Sequence, residues 1–361
     1  MLVEIVGYFQ LLQKALSFIK KILFRAFLRV SDKYSLNFLS IYNMLYGARD
    51  NTMTVLQVGQ AKSGNYFLYK IIQRILQEAK FPIKTFIEKD PINKIASKWK
   101  LSNNDQALID VIDFEPLKCF YRIGPIYRMP IEDLESYVKE TNHVWTHSRI
   151  DKSNAQHFKY FDKIIYIVRD PRDIAISMSH FAFTPYMQKY CPTRAPNPDT
   201  YLNNNLDRQI LTWINHVGNC LKYKNEFSIH FILYERLISS FQEELTELLK
   251  FLEIDLNEET KMKIENEVSY KTMKKQSPNH VRKGQVRQWS NILSSNQIKY
   301  VNRIAKPMLT LLNYPTGKNM NDLPHISGNL SLGEIDKAMK SANTKIRLQR
   351  FSELLYNRVK S

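Results

Sequence analysis

A short, mostly apolar run, Val55-Leu56-Gln57-Val58, passes directly into Gly59-Gln60-Ala61-Lys62-Ser63-Gly64 and then into a stretch of helical period. A strand that feeds a helix through a glycine-bearing loop is half of a crossover unit, and such units build parallel sheets. After the loop, Phe67, Leu68, Ile71, Ile72, Ile75 and Leu76 share one helical face. The first N–H groups of such a helix have no intrahelical partner, and with the helix dipole they attract an anion. Lys62 adds a point charge there and Ser63 a hydroxyl donor. The loop also reads as an ordinary strand-to-helix turn that uses glycine for its backbone. It is not a Walker A loop, because the G-x-x-x-x-G-K-[ST] order is missing.

A second turn of the same kind follows. Ile164-Ile165-Tyr166-Ile167-Val168 has the composition of a buried strand, and Arg169-Asp170-Pro171-Arg172-Asp173 leads into the helix Ile174-Ala175-Ile176-Ser177. Pro171 suits the first helical position and Asp173 the first turn. Arg169 falls at the carboxyl end of the strand, where open α/β sheets bind ligands, and Ser177 lies nearly two turns further on. The structural alternatives are a salt-bridge arginine and a tolerated helix serine. A third segment, Val281-Arg282-Lys283-Gly284, precedes Trp289. Two cations before a glycine can present charge and backbone N–H groups to a phosphate, though alone they read as a solvated basic loop.

Strand–helix alternation continues to about Leu312, with strands expected at Thr54–Val58, Val144–Thr146, Lys163–Val168 and Ser228–Tyr234. The fold class expected is α/β: three layers, a central parallel sheet with helices on both faces, like P-loop nucleotide kinases, plus terminal helices. Pro315, Gly317, Asn319, Asn321, Pro324, Gly328 and Asn329 mark a linker ahead of a last basic helix. The division expected is residues 1–51, 52–313 and 314–361.

The 361 residues carry 52 Lys+Arg against 35 Asp+Glu, a net charge of +17. That excess suits an anionic ligand, a membrane surface or nucleic acid, and does not choose among them. Residues 1–30 form a basic amphipathic pattern, with Phe9, Leu12, Leu16, Ile19, Leu23 and Phe27 opposite Lys14, Lys20, Lys21 and Arg25. Such a helix lies in a membrane interface or docks on protein. Its apolar runs are shorter than the roughly 18 residues of a membrane span. Cys119, Cys191 and Cys220 are too few and too far apart for a disulfide scaffold or a cysteine zinc site, and fit a reducing compartment.

The three basic segments, in this order, resemble the sulfotransferase family that uses 3'-phosphoadenosine 5'-phosphosulfate. Ala61–Phe67 is similar to its P-K-S-G-N-x-W loop, Arg169, Pro171, Asp173 and Ser177 to its R-[ND]-P-x-D-x-x-x-S motif, and Arg282-Lys283-Gly284 with Trp289 to its R-K-G-x-x-G-D-W motif. The resemblance covers about Thr54 to Leu312 and implies roles residue by residue. Lys62 contacts the bridging oxygen of the phosphosulfate, and Ser63, Gly64, Asn65 and Tyr66 supply donors. Phe67 stands where the adenine-stacking Trp usually is, and Tyr234 in Leu233-Tyr234-Glu235-Arg236 approaches the adenine. Arg169, Ser177, Arg282, Lys283 and Gly284 hold the 3'-phosphate. Trp145-Thr146-His147 resembles the K-T-H segment, which makes His147 the general base, with His143 its rival. No metal is needed for such a transfer.

Departures from the pattern are Ala61 for Pro, Phe67 for Trp, Trp145 for Lys, and Arg287 and Gln288 for Gly and Asp. The expected partner is a hydroxyl- or amine-bearing acceptor, lipid-linked or glycan on the hint of the N-terminus, with peripheral membrane contact, no nucleic acid and a cytosolic-side location. Lys80–His143 and Phe181–Asn205 shape the acceptor pocket, with His180, Phe181, Phe183 and Tyr186 as candidate lining residues or packing aromatics. The rival functions are a P-loop kinase and a non-catalytic membrane-surface or nucleotide-binding protein on a degenerate fold.

Overall fold

The computed structural model describes residues 53–88, 92–102, 104–278, 284–317 and 322–360. The expected N-terminal amphipathic helix, Arg282 and Lys283 lie outside the described residues. Seven strands form one sheet: β1 (Val55–Val58), β2 (Asp110–Phe114), β3 (Cys119–Ile123), β4 (Tyr127–Ile131), β5 (His143–Thr146), β6 (Lys163–Val168) and β7 (His230–Leu233), in the order β4-β3-β2-β5-β1-β6-β7. The longer helices are α1 (Asn65–Glu78), α2 (Pro171–Ala182), α3 (Pro198–Lys222), α4 (Phe241–Leu252), α5 (Glu258–Val268), α6 (Ser295–Leu311) and α7 (Leu332–Lys360).

The expected α/β architecture is present, but the sheet is mixed rather than wholly parallel. β2, β5, β1, β6 and β7 pair in parallel, whereas β3 runs antiparallel to both β2 and β4. Chain length explains the reversal. Residues 115–118 join β2 to β3 in a turn closed by Glu115 N–H to the Lys118 carbonyl at 2.9 Å, and residues 124–126 join β3 to β4. A parallel crossover takes about a dozen residues or more, so these short links dictate hairpins. This meander occupies part of the segment expected to act as an acceptor loop.

β1 is buried along its whole length, as are all but the first residue of β6, which is why both read as continuous apolar runs. Leu56, Val58, Tyr166 and Val168 face one core, with α2, α3, α6 and α7 over it. Val55, Ile165, Ile167 and Ile232 face the other, under α1, α4 and α5. On the first side α7 lays Ile335, Ala338, Ala342 and Ile346 into the core. The register aligns Val58 with Thr146 and with Tyr166, and Val168 with Leu233. The loops after β1, β5, β6 and β7 therefore emerge together at one edge of the sheet, beside the strand where connections diverge.

Candidate active site

At these carboxyl ends lies a cavity of about 360 Å³, lined by Lys62, Gly64, Asn65, Tyr66, Phe67, His147, Arg169, Ser177, Tyr234 and Gly284, among others. The loop after β1 turns into α1 at Gly64, whose φ of 99° is left-handed and whose hydrogen faces the Tyr234 ring. A Cβ there would stand 2.4 Å from that ring, so only glycine fits both the backbone and the space. Lys62 also holds a left-handed φ of 73°, and its ammonium sits 4.0 Å from the Phe181 ring centroid.

Arg169 joins the loops. It is 6% exposed, and its guanidinium donates to the Lys62 carbonyl at 3.1 Å and to the Gln285 carbonyl at 3.2 Å. The same group lies 4.3 Å over the Tyr234 ring. Trp213 Nε1–H donates to the Arg169 carbonyl at 2.9 Å, fixing the main chain. Behind it Asp170 caps α2 and accepts two bonds from the buried Arg172, while its N–H donates to Glu235 at 2.9 Å. Burial, with Asp170 next, pushes Glu235 up to about 7. Asp173 accepts the Trp289 N–H at 2.9 Å, so the segment after Gly284 is docked on the start of α2.

His147 is half-buried at the end of β5. Its Nδ1 lies 2.6 Å from the Gly59 carbonyl. A carbonyl only accepts, so Nδ1 carries the hydrogen and Nε2 keeps the lone pair. Burial above all, then Arg122, and more weakly His216 and Lys62, pushes this imidazole down to about 3 against the opposing pull of Gly59. His143, the rival, sits at the other end of β5, 4% exposed, bonded to Gln73 at 2.9 Å and stacked on Tyr69 at 5.0 Å. It does not line the cavity.

Other expected residues divide. Ser177 and Gly284 line the cavity; Ser63, 1% exposed, does not, and its N–H donates to the Gln60 carbonyl at 3.1 Å. The Tyr66 hydroxyl bonds to Asp105 at 2.9 Å and Ser277 at 3.0 Å, tying the loop to two distant segments. His180 and Phe181 line the cavity, whereas Phe183 packs on Tyr201 and Tyr186 accepts from Gln106 at 2.8 Å. Tyr270, Met273 and Lys274 line it unannounced. Their i, i+3, i+4 spacing, just before the basic segment, was the available signal. Among the described residues no group of three or more His, Cys, Asp or Glu is placed to hold a metal ion.

A family model, the sulfotransferase domain, matches residues 53–324. The chain is 30% identical to an amine sulfotransferase of Oryctolagus cuniculus over 115 residues, 31% of this chain and 36% of that protein. It is 32% identical to sulfotransferase 1B1 of Canis lupus familiaris over 115 residues, 31% of this chain and 37% of the relative. The chain thus spans little more than a third of the length of either. The fold is similar to the crystal structure of mouse sulfotransferase SULT7A1 complexed with PAP, with a TM-score of 0.50 and 21% identity over 73% of this chain and 88% of that one.

Proposed function

The chain belongs to the sulfotransferase family, and from that premise we propose that it moves a sulfuryl group from 3'-phosphoadenosine 5'-phosphosulfate to the hydroxyl or amine of an acceptor. The observation that carries this reading is Arg169, whose guanidinium ties the Lys62 loop and the Gln285 segment around one cavity. The residues fit a ligand with two separate anionic ends. Lys62 and the first N–H groups of α1 suit one end, and Arg169, Ser177 and Gly284 the other. The buried Arg169 Nε, which has no hydrogen-bond partner among the described residues, is a further donor facing this site. Phe67 offers a ring face for the adenine beside Tyr234.

When bound, the nucleotide supplies the sulfuryl group; the chain's own residues position and neutralise. Lys62 stabilises the charge that grows on the departing oxygen. His147 accepts the acceptor's proton at Nε2, because Nδ1 keeps its hydrogen on Gly59. Little covalent work is left, so in-line placement dominates.

Calorimetry with 3'-phosphoadenosine 5'-phosphate, without added metal, is the test. Arg169→Ala is expected to weaken binding about 10- to 100-fold, the worth of hydrogen bonds to a charged group. His147→Ala should spare the affinity and abolish transfer from a labelled donor. Unchanged affinity in the Arg169 variant overturns the reading. The acceptor is found by screening hydroxyl and amine compounds with that donor. A lipid-linked or glycan acceptor and peripheral contact on the cytosolic side rest on residues 1–30, outside the described part. Co-sedimentation of the full chain with anionic vesicles, against a chain lacking those residues, tests them.

A further inference from the structure

The Gly59 bond fixes only the ring of His147. Its main chain is held separately, by residues that do not line the cavity. The His147 carbonyl accepts from His216 Nε2–H at 3.2 Å, and the His216 Nδ1 accepts from the Tyr166 hydroxyl at 2.8 Å. The tautomer follows from the partners: a carbonyl only accepts, so Nε2 bears the hydrogen and Nδ1 takes the phenol's. His216 on α3 and Tyr166 in β6 are 3% and 1% exposed, with their rings stacked at 5.5 Å. β5 ends at Thr146, so the next carbonyl has no strand neighbour in the ladder, and the buried imidazole serves it instead.

We propose that His216, oriented by Tyr166, is a positioning residue that holds the main chain of His147 so that Nδ1 stays on Gly59 and Nε2 is presented to the cavity. This rests on the role given to His147 above. No proton travels along the chain of bonds, since His216 meets the main-chain oxygen and not the ring. The contribution is geometric, and a misplacement of about 1 Å in such a group costs about 10²-fold in rate. The charged and titratable groups acting on the His147 ring are Arg122 from β3, Lys62 from the loop after β1, and His216 from α3, with Arg149 acting on His216 in turn. Arg122 and Lys62 remain when His216 is replaced, and both oppose protonation. His216 adds a weak downward push of its own, so the tautomer, and the uncharged donor in His216→Gln, separate lost confinement from lost charge.

Nitrogen-15 NMR of the histidine rings in the full chain tests this, with calorimetry of 3'-phosphoadenosine 5'-phosphate alongside. In the unaltered chain His147 should remain the neutral Nδ1–H tautomer as the pH falls to about 4. In His216→Phe the ring should show both tautomers, with its titration moved up by about a unit or more toward the ordinary value near 6.5. His216→Gln, which keeps a donor, should restore the wild-type signature. Tyr166→Phe, lacking one hydroxyl, should shift His147 in the same direction by less. Nucleotide affinity should stay within about twofold in each folded variant. A wild-type tautomer and titration in His216→Phe, or in Tyr166→Phe if the first does not fold, overturns the proposal. No nucleotide binding by the unaltered chain would instead count against the sulfotransferase reading, and leaves the NMR comparison intact.

Discussion

His147 and Lys62 take their chemistry from what surrounds them. An ordinary histidine changes charge near pH 6.5; here burial, and then Arg122, defers protonation to about 3. A lowered value keeps the base form as the medium acidifies. The sulfuryl-transfer kcat/KM is therefore expected to stay level from pH 8 down to about 5, a range in which an unshifted histidine would lose most of its activity. An acid limb near 6.5 in initial rates would remove His147 as the base. His143, four residues earlier, carries the same side chain to the far end of the strand, where Gln73 and Tyr69 enclose it. Lys62 keeps a left-handed backbone at a cost of about 1–3 kcal/mol, a strain that survives only where neighbours hold it. Arg169, bonded to its carbonyl, is one such neighbour.

Among the elements, the start of α2 holds the most charge in the least water. Asp170 is both its N-cap and the partner of Arg172, whose Nη2 stands 2.6 Å away with 0% of the side chain exposed. Arg172 also lies 3.6 Å from the Trp289 ring and donates to the Pro315 carbonyl at 2.6 Å, drawing the chain after α6 onto α2. Removing one member of a buried pair strands the other. Asp170→Ala is expected to cost about 3–5 kcal/mol in urea unfolding. A loss under about 1 kcal/mol would mean that water or Glu235 reaches Arg172 instead. α6 and α7 are joined by a subtler device. Pro307 has no N–H, so the Arg303 carbonyl lacks its helical donor, and Lys345 of α7 donates to it at 2.8 Å.

For the whole molecule, α7 is part of the core rather than an appendage. Burying Ile335 and Ile346 is worth about 1.5–3 kcal/mol each. Deleting residues 331–361 should lower Tm by on the order of 10 °C, read by calorimetry or circular dichroism. An unchanged Tm would show that α3 and α6 close over the exposed face unaided. Helical period in this segment named a helix but could not say what it packs on, because periodicity carries no partner. The hairpins of β2, β3 and β4 escaped for a related reason. Their alternation is carried by residues such as Asp113, Arg122 and Arg128, whose charges pair with one another across the strands and so imitate a polar loop.

Taken alone, the chain's order of residues determined what depends on near neighbours: the two strand-to-helix turns, the glycine at position 64, and the cations set beside each. It also placed His147 just past a strand. Folding decided the rest. Arg169 meets carbonyls 107 and 116 positions away, and the hydrogen on His147 is assigned by a residue 88 positions earlier. Such pairings depend on sheet register and helix docking, which balance burial over the entire core, and no local window of sequence contains them.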